Sequence, residues 1–190
     1  MPGCKTPIAD VTLVDYWVRD LADPAEADRV EEHLMGCGDC ASRLQQLASL
    51  GAGLAVLARQ GRVTGIVSRA VLNRMQRDGV NVRLYSLAPG EALPCAVFPA
   101  DDLVVAALRA DFSGLDAVTL SVVGPGNSSL VEADDVPVSA PEGEVLWAMP
   151  AAVVRKLPSM RLQLTLSSAG ATPTELGQYV LDHSASTPPS

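Results

Sequence analysis

The 190-residue sequence has no apolar stretch long enough to cross a bilayer as a helix. Its longest apolar run, Leu47 to Ala58, is interrupted by Gly51 and Gly53, whereas a spanning helix needs about 20 residues. The opening MPGCKTPIADV lacks the apolar core of a secretory signal and meets an acidic residue by Asp10, so the expected location is cytoplasmic with no membrane association. Basic side chains are in deficit: 14 Lys and Arg stand against 22 Asp and Glu, a formal charge of −8. Nucleic-acid backbones are bound by clustered cations, so direct binding to DNA or RNA is not expected, and a basic protein surface is the more natural partner. Four cysteines are too few and too uneven for a disulfide-stapled secreted domain. Histidine is scarcer still. Beyond residue 60 only His183 occurs, there is no phosphate loop, and Asp134-Asp135 has no partner motif, so an enzyme is not expected.

What the chain does have is 48% hydrophobic residues, ample for packed cores, and one stretch rich in metal-binding chemistry. The run VEEHLMGCGDCASRL, residues 30–44, sets His33, Cys37 and Cys40 in an H-x3-C-x2-C spacing. A helix ending near Gly36 places His33 in its last turn with Cys37 four residues on, along the same side. Gly36 is the expected C-cap, the two glycines around Cys37 permit a tight reversal, and Cys40 opens the next helix, where the dipole favours a thiolate. Zn²⁺ takes four N and S ligands tetrahedrally, so His33, Cys37 and Cys40 make three-quarters of a site and a fourth ligand must come from elsewhere.

The flanking sequence is helical by pattern. Val14, Trp17, Val18 and Leu21 fall at i, i+3, i+4 and i+7, with Thr12 and Asp15 spaced as a capping box. Asp23-Pro24-Ala25-Glu26 starts a second helix with Ala27, Val30 and Leu34 inward. A third, from about Asp39 to Ala58, carries Cys40, Leu44, Leu47, Ala48, Gly51 and Leu54 on one stripe. Residues 1–60 hold five basic against nine acidic side chains. The next segment, RVTGIVSRAVLNRMQRD (62–78), has four arginines and one aspartate, with Ile66, Val67, Ala70, Val71 and Met75 apolar. It reads as a fourth, amphipathic helix whose stripe either meets a partner or packs on this protein's own domains.

After Gly79 the pattern turns to short Val-rich alternating segments: 80–87, 94–99, 102–111, 116–123, 144–149, 159–167 and 175–182. Turn signals at Ala88-Pro89-Gly90, Ser113-Gly114, Gly124-Pro125-Gly126-Asn127 and Ala140-Pro141-Glu142-Gly143 separate them. About seven such strands suggest an antiparallel sandwich or barrel. Cys95 reads as a buried structural thiol, Trp17 and Trp147 as core residues, and His183 as an exposed strand end.

With these residues in place, LVDYWVRDLADPAEADRVEEHLMGCGDCASRL resembles the zinc-binding anti-sigma factor family, over roughly residues 4–60. The resemblance implies a small helical domain that sequesters a sigma factor, usually of the extracytoplasmic-function class, by covering the surfaces that meet core polymerase and promoter DNA. It also implies that the fourth zinc ligand comes from the N-terminal segment, where Cys4 is the only Cys or His before His33; Asp10, or a site with three protein ligands, are the alternatives. In redox-sensing relatives the N-terminal Cys and one Cys of the C-x2-C form a disulfide, zinc leaves and the sigma factor is freed. Some relatives end in a metal-binding cupin, which needs a histidine cluster this chain lacks.

The expected fold class is therefore α+β. A small zinc-stabilised helical bundle (1–60) leads through an amphipathic linking helix (61–79) into an antiparallel β-sandwich or barrel-like, cupin-like domain (80–183), followed by a disordered tail (184–190). The expected function is that of a zinc-binding anti-sigma factor with His33, Cys37, Cys40 and Cys4 as metal ligands. The alternative is a metal- or redox-responsive sensor with a ligand-binding β domain and no sigma partner.

Overall fold

A computed structural model describes residues 4–138, 143–170 and 172–185. The turn read at Ala140-Pro141-Glu142 and the tail from residue 186 lie outside them. Helix α2, Pro24–Gly36, starts as its local signals dictate: Asp23 accepts a hydrogen bond from the Ala25 amide at 2.9 Å, with Pro24 in the first helical position. Helix α1, Asp10–Val18, begins earlier than the Thr12-Asp15 spacing suggests. Ala9 is its N-cap and no side chain caps it, so Thr12 and Asp15 both lie inside the helix. Leu13 and Val18 are its buried residues, while Val14 and Trp17 are half-buried. It stops where Arg19 turns left-handed (φ 62°) and the amides of Arg19 and Asp20 reach back to the Tyr16 and Asp15 carbonyls.

Helix α3 spans Gly38–Arg59. The reversal from α2 to α3 is made by Cys37 alone, in extended conformation (φ −127°, ψ 100°). Gly36 is the last residue of α2 and not its cap, and neither Gly36 nor Gly38 adopts positive φ, so the turn does not depend on glycine. The buried stripe of α3 runs from Cys40 to Gly51 and then moves to Ala55 and Ala58, leaving Leu54 exposed. Gly51 is required by close approach: a Cβ there would sit 1.9 Å from Cη2 of Trp17, whose ring lies across α3 with the Arg74 guanidinium 4.9 Å from its centroid. Gly51→Ala is thus expected to destabilise the protein by about 1–3 kcal/mol through overpacking, against its gain in helix propensity, with a changed near-UV tryptophan signal as the check.

The single helix expected over 62–78 is not formed. Gly65–Val67 is a strand, β1, that pairs antiparallel with β7 (Glu144–Pro150), Ile66 opposite Trp147. Ser68 then caps helix α4, Arg69–Arg77, accepting from the Val71 amide at 3.3 Å. Ile66 and Val67 are β-branched and gain a sheet partner, which outweighs their fit to a helical stripe. The remaining strands are β2 (Val82–Leu87), β3 (Ala92–Cys95), β4 (Leu103–Arg109), β5 (Ala117–Val123), β6 (Ser129–Pro137), β8 (Met160–Ser168) and β9 (Glu175–His183), with a short helix α5 (Ala151–Val154) after β7. They form two sheets, β1-β7-β4-β2 and β3-β9-β8-β5-β6. Both are open, so the architecture is a sandwich and no closed barrel, and α+β is the fold class. The pairs β2–β4 and β3–β9 are parallel; the other strand pairs are antiparallel. Asp134-Asp135 lies in β6, where Asp135 (φ 52°) sits at a bulge opposite β5.

The layers follow from burial. Val104, Ala106 and Trp147 of the first sheet meet Leu120, Leu164 and Tyr179 of the second. On the opposite face, Leu103, Val105, Ala107 and Ala148 are covered by Ala55 and Ala58 of α3 and by Leu72 and Met75 of α4. Covered on both faces, β4 is apolar without alternation from Leu103 to Leu108. The stripe of α4 therefore packs on this protein's own sheet. Its arginines also hold α1, with Arg77 donating to the Val18 carbonyl at 2.8 Å and Arg74 to that of Trp17 at 3.5 Å. No helix among the described residues is long and apolar enough to cross a membrane.

Candidate metal centre

The end of α2, the α2–α3 junction and the first turn of α3 bring His33, Cys37 and Cys40 together, and the N-terminal segment lays Cys4 beside them. One donor atom from each of the four lies within 4.8 Å of all the others. Cys4 Sγ is 3.6 Å from His33 Nε2 and 4.0 Å from Cys40 Sγ. With Zn–S near 2.3 Å and Zn–N near 2.0 Å, tetrahedral donors stand roughly 3.5–3.8 Å apart, so this donor set fits zinc in both chemistry and size. Cys40 is fully buried and the other three are half-buried.

Cys4 is held from its backbone: its amide donates to Asp39 Oδ2 at 2.9 Å. Arg43, one turn after Cys40, fastens the same segment by donating to the Ile8 carbonyl at 3.0 Å and pairing with Asp10. Asp10, the alternative fourth ligand, is thus engaged by Arg43 and stands outside the four-residue cluster. The sequence reading missed Asp39 and Arg43 as positioning residues. The available signal was Arg43 itself, one of few cations in an acidic segment.

Hydrogen bonding polarises the thiols. The Cys40 amide and then the Cys4 thiol donate to Cys37, holding its pKa down at about 7. Cys4 keeps its proton in that bond and is partly desolvated, which pushes it up to about 11. Metal binding must displace these protons. Zinc affinity is accordingly expected to fall as the pH drops, and to fall more steeply below pH 7, where Cys37 also takes up a proton; competition with a chromophoric chelator at pH 6, 7 and 8 checks this.

The arrangement of a histidine at a helix end, a one-residue junction and two cysteines opening the next helix coincides with a known sequence family. Residues 11–41 match the family described as "Putative zinc-finger". This zinc-finger segment contains His33, Cys37 and Cys40 and leaves Cys4 just outside it. The resemblance to zinc-binding anti-sigma factors rests on the same residues. Among solved structures, the N-terminal domain of phage TP901-1 ORF48 is similar over 55% of this chain and 99% of its own, at 8% identity and a TM-score of 0.33. No curated protein matches the chain.

Away from the zinc-finger segment, Cys95 is buried as expected and burial pushes its thiol up. Trp147 fills the core. His183, expected to be exposed, is 3% exposed on the inner face of β9; alternation from Tyr179 through Leu181 carries it inward.

Proposed function

We propose that the protein is a zinc-binding anti-sigma factor that sequesters a sigma factor of the extracytoplasmic-function class. The observation that carries this reading is the Cys4–His33–Cys37–Cys40 cluster in a segment that matches the zinc-finger family. Four protein donors leave a metal no open position for a substrate, so zinc here serves structure or regulation. The acidic helical end suits a sigma factor's basic, DNA-facing surface. Beside it, α3 exposes Leu50 (67%) and Leu54 at the rim of a pocket of about 150 Å³ floored by Trp17, Leu47 and Met75. Co-expression with the sigma factor encoded next to it should give a stable complex that Leu50→Asp weakens without lowering the unfolding temperature. Failure to bind that or any other sigma factor overturns the proposal.

Release would be oxidative. A hydroperoxide oxidises the Cys37 sulfur to a sulfenic acid and leaves as the alcohol. The adjacent Cys4 sulfur then attacks the sulfenic sulfur, expelling hydroxide that is protonated to water, to give a disulfide that removes two donors from the metal. Peptide mapping after peroxide treatment should find a Cys4-containing disulfide together with zinc loss; zinc retained under full oxidation of the complex argues against this signal.

A further inference from the structure

Among the described residues, the buried side-chain nitrogen and oxygen atoms that lack a hydrogen-bond partner are Nδ1 and Nε2 of His183. Leaving even one buried polar group unpaired costs about 1–3 kcal/mol, so a buried imidazole with neither nitrogen engaged calls for a ligand.

Sheet register supplies the candidates. Cys95 on β3 stands opposite His183 on one side of β9, and Met160 on β8 stands opposite it on the other. Alternation turns all three toward the interior of the sandwich: Cys95 is 2% exposed, His183 is 3% exposed, and Met160 packs against the core. Neighbouring strands lie about 4.8 Å apart, so a thiol, an imidazole and a thioether form one row at the end of the second sheet. The Met160 methyl lies against Gly124, and its neutral thioether is the weakest donor of the three. Tyr85 fixes the Cys95 end, its hydroxyl donating to the Ala96 carbonyl at 2.6 Å and accepting from the Ala96 amide at 2.9 Å. The adjacent charges face outward, where Arg161 and Asp182 pair at 2.8 Å. The row therefore offers sulfur and nitrogen donors and no inward carboxylate.

We propose that Cys95 and His183, with Met160 as a weaker third donor, form a second metal site that takes a soft monovalent ion, copper(I). Thiolate and thioether donors select Cu(I), whereas Mg²⁺ and Ca²⁺ need oxygen ligands. One thiolate and one monovalent cation are together neutral, the charge state an apolar interior accepts most readily. The Cys95 proton leaves to solvent as the S–Cu bond forms, and one His183 nitrogen coordinates while the other keeps its proton.

The test uses the full chain under anaerobic conditions, titrated with copper(I) against a chromophoric competitor. The Cys4 cluster will also take copper, so the reading is a difference: Cys95→Ala and His183→Phe should each bind one equivalent fewer than wild type, and Met160→Leu should bind that equivalent about tenfold more weakly. Imidazole nitrogen NMR of the unmutated protein is the second arm and does not depend on the variants folding. With only two histidines present, the His183 resonances should shift at saturation. Unchanged stoichiometry in folded Cys95→Ala and His183→Phe, or His183 resonances that stay put in copper-saturated wild type, would overturn the site.

Discussion

Removing zinc with a chelator is expected to melt α2 and the first turns of α3 while the sandwich stays folded. Helix α2 has one buried residue, Val30, and α1 has two, Leu13 and Val18. Burying one such side chain contributes only about 1.5–3 kcal/mol, too little to order a 13-residue helix whose backbone alone costs about 1–2 kcal/mol per residue. Structural zinc in small domains contributes about 10–16 kcal/mol of apparent binding energy, which appears as folding energy. The far half of α3 has other support, because Ala55 and Ala58 lie under the first sheet. Hydrogen exchange should accordingly show protection lost across Pro24–Gly36 on chelation and kept across Leu103–Leu108. Full protection of α2 in metal-free protein would contradict a structural role for the metal.

Met75→Asp should unfold the protein, or nearly so. Met75 is 3% exposed and sits with Leu72 between α4 and the sheet residues Leu103 and Val105. A carboxylate there would be set among Leu72, Leu103 and Val105, and burying a charge in apolar surroundings belongs to the class of substitutions that exceed about 4 kcal/mol. Leu50→Asp, on the exposed face of α3, should change stability by no more than about 0.5 kcal/mol. Denaturant midpoints measured for the two side by side check the contrast. If the Met75 variant kept a wild-type midpoint, α4 would not be the sheet cover that its burial makes it. Loss of partner binding in the Leu50 variant reports contact, whereas loss in the Met75 variant reports unfolding.

What the sequence revealed was local. Asp23 and Pro24 act on the amides next to them, so the start of α2 was legible, as were the three donors spaced within one helix end and the next. Central strands such as β4 and β7 announced themselves by apolar runs. What stayed hidden depended on distant partners. Ile66 and Val67 satisfy a helical stripe equally well, and only β7, some 80 residues on, makes them a strand. β6 escaped notice because Glu132, Asp134 and Asp135 give an exposed edge strand the composition of a loop. The two parallel pairings leave no mark in local pattern. His183 was misread because its place beside a polar tail outweighed the alternation that carries it inward.

Strand β9 is inserted between β3 and β8, so the second sheet is complete only after residue 183 has been synthesised. Cys4, His33, Cys37 and Cys40 are all present by residue 40. At about 5–20 residues per second, a growing chain carries all four donors for several seconds before its sandwich can close. The two ends of the molecule thus acquire shape at different times. On the proposed zinc-binding reading, zinc available during translation, and not only afterwards, is expected to set the fraction of chains that leave the ribosome with an ordered helical end.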